Sequence, residues 1–160
     1  MPRPRVLVVG AGGFIGREVA RRLELAGCAL TVHGRSLDRL VPLFPDARHY
    51  AADLAEDHDW AAALAGIDTV VFAAGIMGER GGDRYAAIHE RAAVDLIDAC
   101  VAAGVRRFVL ISAAGTELEA SSYWRSKRAA ERHLQAAAGL DGIVVRPSVV
   151  VGRAGGSDGL

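Results

Sequence analysis

The chain has 160 residues of ordinary globular composition, 51% hydrophobic, 24% charged and 6% aromatic, which suits one domain with a real core. Nineteen basic residues against nineteen acidic ones leave zero formal charge, which argues against a nucleic-acid partner and against a protein held on an anionic membrane. Two cysteines, Cys28 and Cys100, are too few for a disulfide framework and have no zinc spacing, so a reduced, cytoplasmic domain without a metal is expected.

In chain order, strand-length apolar runs alternate with segments of helical period. The opening MPRPRVLVVG reads as a first strand over 5–9, not as a signal peptide, because Gly10 cuts its apolar run short. A helix follows over 14–26, with Ile15, Val19, Leu23 and Ala26 on one stripe and Gly27 at its stop. Next come a strand over 30–33, a helix over 37–44, a strand over 48–51, a helix over 55–65 and a strand over 69–73. The apolar stretch 61–77 is broken by Asp68 and Thr69 and is too short to span a bilayer, so no membrane partner is expected in this segment. A long helix over 84–103 carries Ile88, Val94, Ile97 and Val101, with Cys100 on its apolar side, and stops at Gly104. A strand over 107–111, a helix over 123–138 stopping at Gly139, and a strand over 142–145 complete the series. Several strands (VLVV, VVFAA, FVLI, IVV) are nearly continuous hydrophobic runs, as expected when both faces of a parallel sheet are covered. The predicted fold is a single α/β domain over 1–152, a doubly wound parallel sheet of about six strands with right-handed crossovers. Residues 153–160, rich in glycine, are expected to be a flexible tail or the start of a further region.

The first strand runs into Gly10-Ala11-Gly12-Gly13-Phe14-Ile15-Gly16, and a helix follows at once. Glycine permits a tight turn, close approach of the backbone to a pyrophosphate, and close packing of helix on strand. The helix N-terminus adds free N–H groups and the positive end of its dipole, so the turn is predicted to bind the phosphates of a dinucleotide. The alternative, a tight turn with no ligand, needs glycine too, but the cluster lies between the first strand and the first helix, the context that phosphate binding requires.

On this motif the chain resembles the short-chain dehydrogenase/reductase superfamily in its extended or atypical branch, and the resemblance covers essentially the whole chain. Asp53-Leu54 looks like the acidic pair whose carboxylate meets the adenine amino group. Ala73-Ala74-Gly75 resembles the family's cofactor-flanking turn. Arg146-Pro147 with Val151-Gly152 looks like the segment that lines the nicotinamide side. The resemblance implies a Rossmann-like fold and a substrate-binding region beyond that segment, short or absent in these residues. It also implies pairing of the two long helices with those of a second copy, a homodimer.

At the end of the second strand the chain reads His33-Gly34-Arg35-Ser36, with no carboxylate until Asp38. An acid there would hold a ribose 2′-hydroxyl, whereas Arg35 and Ser36 suit a 2′-phosphate, so NADP(H) is predicted over NAD(H). Tyr123 and Lys127 lie at i and i+4 and share one helical face, where the ammonium is expected to lower the phenol's pKa toward acid–base use. The chain has eighteen arginines and one lysine, and that lysine is Lys127. A slim ammonium suits ribose hydroxyls better than a guanidinium does. The resemblance implies a catalytic serine after the fifth strand. Ser112 matches the first serine of the family's pair while Ala113 occupies the usual catalytic place, which leaves Ser112, Thr116 or no residue at all to supply a hydroxyl. Where the family often has an asparagine stands His89, either a proton relay or substrate contact, or a surface histidine. The remaining histidines, His33, His49, His58 and His133, read as structural. The leading function is an NADP(H)-dependent oxidoreductase acting on a small-molecule carbonyl or alcohol. The alternative is a non-catalytic nucleotide-binding module, a redox sensor or assembly partner.

Overall fold

The computed structural model describes residues 3–57, 59–81 and 84–152; His58 and the segment 153–160 lie outside the described residues. Six strands form one sheet: β1 (Arg5–Val9), β2 (Ala29–Gly34), β3 (Arg48–Ala51), β4 (Thr69–Phe72), β5 (Arg107–Ile111) and β6 (Asp141–Val145). Their order is β3-β2-β1-β4-β5-β6 and every pairing is parallel. This is the doubly wound order, and the direction of winding reverses between β1 and β4. The helices are α1 (Phe14–Leu25), α2 (Leu37–Leu40), α3 (Ala61–Leu64), α4 (Ala92–Ala102) and α5 (Ser122–Ala136), with a π-helical turn, Ala86–Arg91, leading into α4.

Alternation along β1 divides the core in two. Leu7 and Val9 join Val70, Phe72, Phe108 and the α4–α5 side chains Leu96, Ile97 and Leu134. Val6 and Val8 face the other way, to Val32, Ala20, Leu40 and Phe44 beneath α1 and α2. The β1 run VLVV is thus buried on both faces.

Several elements differ from their expected bounds for local reasons. Helix α2 is four residues long because Pro42 and Pro45 follow at once and cannot continue it. Helix α3 begins at Ala61 rather than at 55. The Asp53 carboxylate accepts the Ala55 N–H at 2.9 Å and that of Asp59 accepts the Ala61 N–H at 2.8 Å, local bonds that compete with a helix. On α1 the buried positions are Gly16 and Ala20, while Ile15, Val19 and Leu23 are only half-buried and Ala26 is exposed. Val101 is exposed too, so the buried stripe of α4 runs through Leu96, Ile97 and Cys100. Strand β6, read as covered on both faces, is an edge whose Ile143 and Val145 are each 41% exposed, with Val144 alone packed on the core. No helix among the described residues is long and apolar enough to cross a membrane.

Candidate dinucleotide and catalytic site

The glycine turn sits at the carboxyl end of β1, at the reversal point of the sheet. Its four glycines serve different ends. Gly10 takes φ of 82°, and a Cβ there would lie 2.8 Å from the backbone of Ala74, so the ends of β1 and β4 touch. A Cβ on Gly16 would lie 2.1 Å from the Gly10 carbonyl oxygen, which lets α1 rest directly on the turn. Gly12 leaves space, its virtual Cβ 3.8 Å from the nearest atom, whereas a Cβ on Gly13 would be tight, 3.2 Å from the Gly10 carbonyl oxygen. The Ala11 N–H donates to the His33 carbonyl at 2.9 Å and the Gly13 N–H to the Gly10 carbonyl at 3.0 Å, which closes the turn. Helix α1 opens at the exposed Phe14, followed by half-buried Ile15, with no side-chain cap at Gly13 and no acid in its first turn. Its positive end is therefore left to an outside anion, and the residues present fit a dinucleotide pyrophosphate.

Around this turn the strand ends carry the other expected binding residues. Arg35 is exposed just past β2, and Ser36 begins α2 without using its hydroxyl as a cap. Past β3, half-buried Asp53 holds its own turn through Ala55, and Leu54 is buried. The Ala73 N–H donates to the Val9 carbonyl at 2.9 Å, which carries Ala73, Ala74 and Gly75 alongside the glycine turn. The Pro147 carbonyl accepts the Ala114 N–H at 2.9 Å, so the Arg146-Pro147 segment extends the β5–β6 pairing. A Cβ on Gly152 would lie 3.3 Å from the Phe14 ring, which brings this segment over the start of α1.

Helix α5 supplies Tyr123 and Lys127 and is capped by Ser121, whose Oγ accepts the Trp124 N–H at 3.3 Å. Lys127 is 6% exposed and its Nζ donates to the Ile111 carbonyl at 3.1 Å. A Cβ on Gly75 would lie 3.4 Å from Nζ, so lysine and cofactor-flanking turn meet. Burial brings the ammonium down to about 8, against the opposing pull of the Glu131 carboxylate. Tyr123 is half-buried, edge-on to Tyr85 at 5.5 Å and to His89 at 5.2 Å. Burial first, then Tyr85, push its phenol above the ordinary range. Burial and Tyr85 thus overturn the expected lowering by Lys127, whose ammonium donates to Ile111.

His89 is no surface residue. It is 1% exposed, accepts the Ile76 N–H on Nε2 at 2.9 Å, and meets Ser126 Oγ with Nδ1 at 3.2 Å. Burial and the nearby Lys127 charge lower its pKa to about 3, so it is neutral.

Ser112 is 4% exposed. Its hydroxyl is turned to the Glu131 carboxylate, which it helps to keep ionised although no hydrogen bond of good geometry forms. Thr116 Oγ1 donates to the same carboxylate at 3.1 Å. Both hydroxyls expected to stand in for the family's second serine therefore face Glu131. Glu131 itself was not anticipated. It is fully buried, accepts both Nε and Nη2 of Arg146 at 2.9 and 2.7 Å, and accepts Arg128 at 2.8 Å. Burial would push its carboxyl up, but the bonds from Arg146, Arg128 and Thr116, with the nearby Ser112 hydroxyl, outweigh it and bring the pKa to about 2. One signal could have found it: Tyr123, Lys127 and Glu131 repeat at a spacing of four along one helical face.

A family model described as NAD(P)H-binding matches residues 10–157. A 3 beta-hydroxysteroid dehydrogenase/Delta 5-->4-isomerase of Mycobacterium tuberculosis is 30% identical, over 92% of this chain and 47% of its own length. A ceramide reductase of Caulobacter vibrioides is 28% identical, over 92% of this chain and 46% of its own length. The chain thus spans about half the length of these curated relatives. Among solved structures, a Bacillus halodurans protein classed provisionally as an NAD-dependent epimerase/dehydratase superposes with a TM-score of 0.81 and 31% identity, covering 91% of this chain and 70% of its own. The Bordetella bronchiseptica enzyme WbmH, solved with NAD+, has a TM-score of 0.78 at 23% identity over 98% of this chain and 60% of its own, a likeness of fold.

Proposed function

This chain belongs to the NAD(P)H-binding family within the short-chain dehydrogenase/reductase superfamily, and from that premise we propose that it serves an NADP(H)-dependent oxidoreductase. The observation that carries the proposal is the meeting of α5 with the cofactor-flanking turn, where Lys127 Nζ and Gly75 close on one another four residues from Tyr123. The bound nicotinamide would supply or take the hydride. Tyr123 gives its Oη proton to the substrate oxygen in reduction and recovers it in oxidation, and a phenol raised by burial is held in the proton-donating form. Lys127 holds the ribose side and shares the cleft as a cation. Arg35, with no acid before Asp38, supports the choice of NADP(H). The names of the relatives, a hydroxysteroid dehydrogenase and a ceramide reductase, support an alcohol–carbonyl pair on an apolar substrate.

A second reading, a nucleotide-binding module without turnover, is favoured by Ala113 together with the bond of Thr116 to Glu131 and the burial of the Ser112 hydroxyl beside it. One set of measurements separates the two. Tyr123→Phe is expected to remove nearly all turnover while NADPH affinity stays level, because the phenol acts in the transition state. Arg35→Ala is expected to weaken NADPH by about 1–3 kcal/mol, the scale of hydrogen bonds to a charged group, and to spare NADH. A wild type that binds NADPH but oxidises it no faster than solution across aldehydes and ketones makes the module reading the right one. Equal or tighter NADH binding removes the cofactor preference.

A further inference from the structure

We propose that His89 is a positioning residue, a neutral tie that sets the distance between the cofactor-flanking turn and the catalytic helix. The proposal rests on the reading of Tyr123 and Lys127 given above. Its physical content is a chain of hydrogen bonds that runs in one direction. The Ile76 amide can only donate, so Nε2 of His89 must present its lone pair to it. The ring proton therefore sits on Nδ1 and is donated to Ser126 Oγ at 3.2 Å. Ser126 in turn donates its own proton to the Tyr123 carbonyl at 2.8 Å. Every member of this chain is satisfied only when the imidazole is neutral and Nδ1-protonated. A proton on Nε2 would set one N–H against another, beside a lysine ammonium.

The groups that face the ring come from every element around it. Tyr85 stacks on it at 5.4 Å from its own helical run, Tyr123 meets it edge-on at 5.2 Å from α5, and Gly75 with Ile76 closes it from the β4 end. Lys127 supplies the nearby positive charge. The tie leaves the ring no nitrogen for a substrate, so His89 is neither a proton relay nor a substrate contact. The local backbone is built for the same end. Residues 86–91 form a π-helical turn in which the Ala92 N–H reaches the Ala87 carbonyl five residues back, and such wide turns cluster at functional sites. The turn carries His89 inward while Arg91 and Ala86 stay outside.

The test uses the chain as it stands and does not depend on turnover alone. Nitrogen-15 spectra of the imidazole should show the Nδ1–H form with no titration between about pH 5 and pH 8. The Ile76 amide should exchange slowly with solvent in the wild type and at least about tenfold faster in His89→Ala. In assays, His89→Ala should lower kcat about a hundredfold, the cost of an ångström-scale misplacement of the acid, with little change in the KM for nucleotide. His89→Gln, whose amide can accept from Ile76 and donate to Ser126, should recover most of the loss. An imidazole that titrates near its ordinary pKa, an Nε2–H tautomer, or an unchanged Ile76 amide in His89→Ala would overturn the tie. Those outcomes are distinct from failure of the enzyme reading, which shows as absent wild-type turnover with the histidine signals and amide protection in place. An active wild type whose kcat is indifferent to His89→Ala would leave the tie without a positioning role and refute the proposal.

Discussion

Changing Glu131 to Gln removes one charge from a buried ion cluster and leaves its shape nearly intact. The amide oxygen can still accept one donor, but its NH2 then faces the guanidinium N–H groups of Arg128 or Arg146, donor against donor. The magnitude follows from the carboxyl itself, lowered from 4.5 to about 2 by those bonds in spite of its burial. Each pKa unit is worth about 1.4 kcal/mol, so the ionised carboxylate contributes at most about 3 kcal/mol. Breaking a buried pair costs about 3–5 kcal/mol, and the low end applies because the Arg128 and Arg146 side chains remain 22% and 37% exposed. For a chain of this size that is a fall in Tm of about 6–12 °C at neutral pH. The sign with pH is fixed: a depressed carboxyl gives its full stabilisation above its unfolded pKa of 4.5 and loses it as pH falls toward about 2. Thermal unfolding followed by circular dichroism from neutral to acid should therefore show wild type and Glu131→Gln converging as the pH drops. A variant that melts within about 2 °C of the wild type at pH 7, or a difference that stays constant into acid, would refute this account of the cluster.

Two further expectations concern the turn and the assembly. Gly13→Val should abolish NADPH binding while the domain still folds, because its virtual Cβ lies 3.2 Å from the Gly10 carbonyl, a tight contact that a shift of a few tenths of an ångström relieves. Gly16→Ala, at 2.1 Å from that same carbonyl, should instead cost about 1–3 kcal/mol of stability, and comparable melting temperatures for the two variants would contradict the division of roles. The outer face of the π-helical turn and α4 forms a concavity of about 510 Å³ lined by Ala86, Ala87 and Val94 with Arg84, Glu90 and Arg91. Small apolar residues framed by charges of both signs suit a second copy of the same helices, and light scattering at micromolar concentration is expected to report a homodimer; a monomer throughout would count against it.

Much of this protein was legible along the chain. The six strands lie close to their expected places, and β1 and β4 are the plainest because a strand buried on both faces carries few polar residues. The glycine turn was legible because steric demands at Gly10 and Gly16 exclude any side chain, so the sequence carries a direct imprint of the contact. Helix lengths were less so. In α2 and α3 a proline or an aspartate's bond to a backbone N–H decides the outcome against an otherwise helical pattern. The edge status of β6 was not legible at all, since IVV reads alike in a central strand and at an edge.

At the site, sequence determined which residues share a helical face: the spacing of Tyr123 and Lys127 follows from helix geometry alone. It could not determine what those groups meet across the fold. Only the tertiary structure turns the Lys127 ammonium to Ile111, raises the Tyr123 phenol instead of lowering it, and bonds Thr116 to Glu131 with the Ser112 hydroxyl turned the same way. The same holds for His89, whose partners are Ile76 and Ser126, thirteen and thirty-seven residues away in the chain. Protonation and hydrogen bonding depend on burial and on neighbours a few ångströms off, and those neighbours come from elements brought together by the sheet order rather than by local spacing.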